Sequence, residues 1–376
     1  MKILLIAGMA ESLVNFRGPL IADLQNRGLD VHVAAPDLFK GSSIYNQLQA
    51  LGLTVHKFPM MRNGTNTLVD MWTVYFLWRL IRTIRPSVTL AYTIKPVIYG
   101  LCAAWLAGVP RRFALITGLG YVFEEDRSKA PLLYIVQKLY KFALCRASLV
   151  FFQNPDDLIL FKARDILSKG VPTCVVNGSG VDLVRFSFKK LNLSISASSI
   201  HFLFMGRFLS DKGIREYVHA ARLIRRSHPN VKFMLVGWID SNPNSISQDE
   251  LDEWVADGSI ELLGKMSDVR SAIESCSVYV LPSYREGTPR SVLEAMAMGR
   301  PIITTDAPGC RETVIEGENG FLVQVKDVDA LVIAMSKFIM NPSLITTMGR
   351  RSREMAEEKY DVHKVNAIML HEMGIV

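Results

Sequence analysis

The chain has 376 residues, 49% apolar and 21% charged; this composition excludes disorder, low-complexity and solenoid architectures, and the length suits two domains of about 150–200 residues rather than one core. Its formal charge of +7 is unevenly placed, since residues 1–185 hold 21 Lys and Arg against 12 Asp and Glu while the remainder holds 22 against 24. A basic half suits nucleic acid, a membrane surface or an anionic substrate; no aromatic-basic RNA module or basic recognition helix is found, so nucleic acid is set aside and anionic lipid or a diphosphate is expected.

The N-terminal MKILLIAGMAES meets Glu11 too early for a signal peptide and is expected to form a first buried strand. A helix from Arg17 to Arg27, ended by Gly28, and a strand at Val31–Ala34 complete a βαβ start. The alternation continues with a helix at Tyr45–Leu51, a strand at Val55–Phe58, a helix at Val69–Ile84 and a strand at Val88–Tyr92. A helix at Val97–Ala107, a strand at Phe113–Ile116, a helix at Leu132–Leu144 and strands at Leu149–Phe152 and Cys174–Val176 follow. This spacing predicts a parallel sheet with helices on both faces. No Gly-x-Gly-x-x-Gly follows the first strand, which argues against a Rossmann dinucleotide site.

Three features of this half bear on function. Arg17, beside a helix start, has two readings: a phosphate grip, or an exposed first-turn arginine. Thr117-Gly118-Leu119-Gly120-Tyr121 follows a buried strand, and its glycines would let backbone approach a ligand, or simply make a tight turn. The helix over Leu68–Arg85 carries Trp72, Tyr75, Phe76 and Trp78, then Arg79, Arg82 and Arg85. That mixture suits rings at headgroup level with cations meeting anionic lipid, but packing between the sheet and its neighbours would bury most of the rings. Between Lys95 and Arg111 lies the longest uncharged stretch, too short to span a bilayer. Five scattered cysteines without Cys-x-x-Cys spacing indicate neither a disulfide framework nor a zinc site. A cytoplasmic location is expected, with peripheral contact to the inner face of a plasma membrane.

Asn177–Asp182, Phe186 and the polar stretch through Ser199 suggest a linker. Domain boundaries are placed at 1–185 for the first domain and 200–361 for the second, with 362–376 as a helix crossing back to the first. His201–Met205 is expected as a buried strand, followed by Arg207 and by Lys212-Gly213, two cations near a strand's carboxyl end. Val231–Gly237 and Ile260–Gly264 are expected as further buried strands, the second followed by Lys265-Met266.

Residues 282–312, PSYREGTPRSVLEAMAMGRPIITTDAPGCRE, organise the rest. Val278–Leu281 is a short apolar strand ended by Pro282; Thr288 suits an N-cap and Pro289 a first helical position, while Gly299 before Pro301 stops the helix. A helix start outside the carboxyl ends of a parallel sheet is a site for an anion such as phosphate. Within that helix Glu294 would share a face with Arg290, and its plainest reading is an exposed i, i+4 pair.

The string Glu-Gly-x-Pro-x3-Leu-Glu-Ala-Met-Ala-x-Gly-x-Pro-Ile closely resembles the donor-site signature of glycosyltransferase family 4. The resemblance implies a GT-B architecture, two Rossmann-like α/β domains with parallel sheets facing across a cleft. In the family's Glu-x7-Glu motif the first glutamate, here Glu286, contacts the donor sugar, and the second, here Glu294, binds the ribose hydroxyls; Gly287, Thr288 and Pro289 line the same donor site. Thr288 departs from the large apolar residue common there. Arg207 and Lys212 match the family's phosphate clamp, and Lys265 and Met266 lie where members hold the base through backbone groups. The Gly-Leu-Gly segment and the Phe-Arg before the first helix resemble a narrower group, bacterial transferases that extend polyprenyl-diphosphate-linked sugars; Arg17, Thr117 and Gly118 are then acceptor or phosphate contacts. Many family members have a histidine where this chain has Thr117, and no catalytic base is assigned.

The implied reaction is retaining transfer of a sugar, with N-acetylhexosamine the best choice, from a UDP-sugar to a lipid-diphosphate-linked saccharide. The UDP-sugar is a co-substrate, and neither cofactor nor metal is expected. Asp327-Val328-Asp329 matches an Asp-x-Asp metal motif, but it is better explained as carboxylates at a helix start. The alternatives are a soluble acceptor, a UDP-sugar 2-epimerase of similar fold, and a catalytically dead binding protein.

Overall fold

The computed structural model describes residues 1–61, 67–119, 130–191 and 200–375. The chain divides by its own packing into two units, Met1–Ser179 with Val365–Val376, and Gly180–Lys364.

In the first unit β1 (Lys2–Ile6), α1 (Glu11–Asn15), α2 (Gly18–Asn26), β2 (Asp30–Ala35), α3 (Ser43–Ala50) and β3 (Thr54–Lys57) are followed by α4 (Thr67–Ile84), β4 (Val88–Tyr92), α5 (Ile94–Leu106) and β5 (Arg111–Ile116). Then come α6 (Ala130–Leu144), β6 (Leu149–Phe152), α7 (Pro155–Ala163) and β7 (Thr173–Val175). The seven strands are all parallel in the order β3-β2-β1-β4-β5-β6-β7. Alternate strand residues feed two cores. One holds Leu5, Val33 and Leu90 with Leu24 of α2, and also Val365, Met369 and Met373 near the chain's end. The other holds Ile6, Ala91 and Phe152 with Leu77 of α4, Leu101 of α5 and Tyr140 of α6. Helix α7, which the sequence analysis did not anticipate, starts at Pro155 with Asn154 as its cap, the Asn154 side chain accepting from the Asp157 amide at 2.8 Å.

The second unit contains β8 (His201–Arg207), α8 (Ile214–Ser227), β9 (Lys232–Trp238), α9 (Gln248–Ala256), β10 (Glu261–Gly264), α10 (Arg270–Ser275) and β11 (Val278–Leu281). It continues through α11 (Arg290–Ala297), β12 (Ile302–Thr305), β13 (Gly320–Val323), α12 (Val328–Met340) and α13 (Ser343–Lys359); α14 (Val362–Glu372) follows and ends among first-unit residues. Its six parallel strands run β10-β9-β8-β11-β12-β13. Both sheets therefore reverse direction of growth beside their first strand, between β1 and β4 and between β8 and β11. A chain leaving neighbouring strands toward opposite faces opens a crevice at their carboxyl ends, where ligands of such sheets bind.

Four expectations are corrected. The strand at Ile260–Gly264 is not buried: β10 is the outermost strand, with β9 its neighbour, and Leu262 and Leu263 are exposed. Most aromatic rings of α4 are not buried either, since Trp72, Tyr75 and Phe76 are 58%, 44% and 42% exposed. The core takes the opposite stripe, Thr73, Leu77, Ile81 and Ile84, and the helix has apolar residues to spare. Thr288 does not cap α11; Pro289 occupies that position with no side-chain cap bond, and the Thr288 hydroxyl donates to the Gly287 carbonyl at 2.9 Å. Arg17 is no exposed first-turn residue, being 2% exposed at the N-cap of α2. Gly120 and Tyr121, and the end of the expected linker through Ser199, lie outside the described residues.

Candidate active site

In the second unit the loops leaving β8 and β11, the two switch-point strands, are joined. The Tyr284 amide donates to the Asp211 carbonyl at 2.8 Å, and the Ser283 hydroxyl donates to the same oxygen at 3.1 Å. Gly213 makes this approach possible: at φ +71° an added Cβ would stand 2.1 Å from the Pro282 carbonyl oxygen. Joining the loops brings Lys212 to Glu286, 74 positions away, with Nζ to Oε1 at 2.5 Å and side chains only 17% and 15% exposed. The Glu286 backbone is braced from its other side, its amide donating to the Pro308 carbonyl at 2.9 Å. Gly309 there passes so close that a Cβ would meet the Glu286 carbonyl oxygen at 2.1 Å.

Arg207 ends β8, and its Nη1 donates to Asp240 beyond the end of β9 at 3.0 Å. Arg207 and Lys212 are thus each matched by a carboxylate. A guanidinium has five N–H donors and an ammonium three, so both can keep these bonds and still meet phosphate oxygens. Asp240 had no signal in the sequence, because its pairing depends on β8 and β9 lying side by side.

Glu294 lies one turn into α11 and accepts from Arg290 Nε at 2.8 Å, with side chains 13% and 19% exposed. The pair has the expected partners but is not on the surface. Burial lifts the Glu294 carboxyl above its ordinary value, opposed by the Arg290 charge and hydrogen bond and by the more distant Arg185. A carboxylate held against desolvation in this way suits hydroxyl donors, which would replace lost water. Cys310 is buried nearby, and burial pushes its thiol up to about 12, which disqualifies it as a thiolate nucleophile. Lys265 is exposed, its Nζ 4.6 Å from the Trp238 ring centroid at the end of β9, while Met266 packs partly against the core. Gly287 is buried, with Thr288 half-buried beside it.

In the first unit the Arg17 guanidinium lies 5.3 Å from the Tyr92 ring centroid, at the carboxyl end of β4. The Tyr92 hydroxyl shares a 2.9 Å hydrogen bond with Ser12, and burial pushes it up to about 12. Thr117 and Gly118, the latter at φ +118°, follow the adjacent strand β5. Thr93 next to Tyr92 was not anticipated: a β-branched residue at φ +69°, facing Gly8, whose added Cβ would come within 2.7 Å of its Oγ1. Such strain concentrates at ligand sites. Asp327 caps α12, accepting from the Ala330 amide at 2.8 Å, which accounts for the Asp-x-Asp. Among the described residues no three His, Cys, Asp or Glu side chains gather as a metal site.

Two family models match, one described as "Glycosyl transferases group 1" over residues 199–341 and one as "Glycosyl transferase 4-like" over residues 2–154. The chain belongs to glycosyltransferase family 4. Among curated relatives, this glycosyltransferase is 29% identical over 367 residues to the N,N'-diacetylbacillosaminyl-diphospho-undecaprenol alpha-1,3-N-acetylgalactosaminyltransferase of Campylobacter jejuni, covering 95% of this chain and 94% of that one. It is 25% identical to the UDP-Gal:alpha-D-GlcNAc-diphosphoundecaprenol alpha-1,3-galactosyltransferase of Escherichia coli, covering 81% and 80%. Among solved structures, HepE of Anabaena in complex with UDP matches with a TM-score of 0.77 at 18% identity, covering 100% of both chains. Sucrose-phosphate synthase of Thermosynechococcus elongatus matches with a TM-score of 0.77 at 19% identity, covering 99% and 98%. These likenesses show the GT-B fold.

Proposed function

We propose that this glycosyltransferase moves an N-acetylhexosamine, with retention of configuration, from a UDP-sugar to a saccharide linked to a lipid diphosphate. The observation that carries the reading is the Lys212–Glu286 pair at the switch point of the second sheet, beside the uncapped start of α11. Breaking the bond between sugar and diphosphate puts negative charge on the leaving oxygen. Lys212 and Arg207, already oriented by Glu286 and Asp240, meet that charge as it develops and favour the transition state over the ground state. The amides of α11 add a positive end to the same region. In this reading Glu286 takes sugar hydroxyls and Glu294 those of the ribose; Gly287, Thr288 and Pro289 line the sugar pocket, and Lys265 and Met266 flank the base. Arg17, Thr117 and Gly118 belong to the acceptor side. Donor and acceptor classes are supported by the two relatives, whose names specify undecaprenyl-diphosphate-linked sugars and, in one, UDP-Gal.

The test is release of UDP from a panel of UDP-sugars with and without an undecaprenyl-diphosphate-linked saccharide. Acceptor-dependent release with a UDP-N-acetylhexosamine and an α-configured product is the expected outcome. Release with soluble sugars alone, or interconversion of the free nucleotide sugar, would replace the reading by a soluble-acceptor transferase or an epimerase.

A further inference from the structure

Helices α4, α5 and α6 lie side by side on one face of the first sheet, since all three contribute to one core and each contacts the next. Lys95 Nζ at the start of α5 meets Asp70 in the first turn of α4 at 3.1 Å, so these helices run parallel. What they turn away from the core is unusually apolar. On α4 the residues Leu68, Met71, Trp72, Tyr75 and Phe76 recur at spacings of three, one, three and one, forming a second stripe opposite the buried one. On α6, Tyr134, Ile135, Leu139 and Phe142 are exposed by 39–60%. Trp105 and Leu106 at the end of α5 join them, for the Arg146 guanidinium is 4.3 Å from the Trp105 ring and 3.7 Å from that of Phe142. Scattered exposed apolar residues need no explanation, but a patch on three adjacent helices marks an interaction surface.

Charge says what covers it. Arg79, Arg82 and Arg85 extend the α4 stripe, and Lys138 and Arg146 lie on or just after α6, which carries no acidic residue and whose Lys141 is paired with Asp165. The acidic residue of α4, Asp70, is paired with Lys95. Tyr75, Trp78, Arg79, Arg82 and Thr83 line a shallow, open depression in this face, with the Arg79 and Arg82 guanidinium carbons 5.9 and 5.4 Å from the Tyr75 and Trp78 rings. Aromatic rings interleaved with cations fit the headgroup layer of a membrane, where rings enter and guanidinium groups meet phosphate. A second copy would bring like charges together. Because α4 enters from the β3 end and leaves toward the start of β4, the ring-rich half of the stripe lies at the carboxyl-end edge of the sheet, the edge that also carries Arg17 and Thr117.

We propose that the outer face of α4, α5 and α6 docks on an anionic bilayer, with Trp72, Phe76, Tyr134 and Ile135 inserted and Arg79, Arg82 and Lys138 on lipid phosphates. This deepens the reading of a lipid-linked acceptor and rests on it for its purpose. The test is flotation of the full chain with phosphatidylglycerol-containing vesicles and with neutral phosphatidylcholine vesicles, at low and high salt. Binding to the anionic vesicles, weakened by salt, is expected. The pairs Trp72→Ser with Phe76→Ser, Tyr134→Ser with Ile135→Ser, and Arg79→Glu with Arg82→Glu should each lower it roughly tenfold or more. Ile333→Ser with Met340→Ser, exposed positions of the second unit, should not. Thermal melting and turnover on a short-chain, detergent-soluble acceptor check that each variant is folded and active. Equal binding to both lipids, no binding, equal loss in the control pair, or a face protected by concentration-dependent dimerisation would each overturn the proposal. Flotation without any transfer to a lipid-diphosphate acceptor would sink the functional reading and leave the docking surface standing; transfer without flotation would do the reverse.

Discussion

Replacing Lys212 by alanine separates what this lysine does for chemistry from what it does for the fold. The ammonium lies 2.5 Å from Glu286 in a site where both side chains are less than one-fifth exposed. If it also meets the departing diphosphate, its loss removes one preorganised donor, an effect of roughly 10²–10³ in kcat, or about 2.7–4 kcal/mol. Stability falls as well, because Glu286 loses its cation while remaining largely out of water; about 1–3 kcal/mol is expected, less than for a fully buried ion pair because some solvent reaches both groups. The two effects part in a double-mutant cycle. Adding Glu286→Gln should recover much of the stability, since no carboxylate then needs a partner, and none of the turnover. Steady-state kinetics with a UDP-sugar, alongside urea denaturation of the same four proteins, measures both. If Lys212→Ala keeps kcat within about threefold of wild type while losing stability, the pair is structural and the leaving-group role is wrong.

Glu294→Gln should weaken donor binding with little change in kcat, because ribose contacts are made equally in ground and transition states; unchanged donor affinity would leave it a partner of Arg290 and nothing more. The same variant has a pH signature. With burial raising its folded-state value above that of an ordinary glutamate, wild-type Glu294 binds its proton more tightly folded than unfolded, so stability from this group falls as pH rises through that range, and the melting temperature of the variant relative to wild type should climb between acid and neutral pH. Gly213→Ala places a Cβ 2.1 Å from the Pro282 carbonyl at φ +71°, and a loss of at least about 2 kcal/mol in denaturation with a fall in kcat is expected; wild-type activity would mean that the two loops need not touch. Turnover should survive EDTA, because Arg207, Lys212 and the start of α11 supply positive charge for the diphosphate, and activity lost with chelator and restored by magnesium or manganese would show that they are insufficient.

Much of this molecule was written locally. The alternation of apolar runs with amphipathic stretches is a property of neighbouring residues, and it placed the strands His201–Arg207 and Val278–Leu281 and the stops at Gly28 and Gly299 within a residue or two. The family string was legible for the same reason, since Glu286, Gly287 and Glu294 are close in sequence. What depends on strand order was not. That Lys212 reaches Glu286 follows from β8 and β11 being neighbours, and that Arg207 reaches Asp240 follows from β8 lying beside β9. Burial was likewise a tertiary decision: β10 is apolar yet lies at an edge, Arg17 is charged yet enclosed, and the Arg290–Glu294 pair that local spacing puts on a helix surface is covered. Helix α4 is the sharpest instance. Its sequence supplies apolar residues for two faces, and only the packed sheet, which takes Leu77, Ile81 and Ile84, leaves Trp72, Tyr75 and Phe76 to the outside. Local sequence sets which conformation a segment prefers, but which side of it meets water depends on what the rest of the chain brings against it.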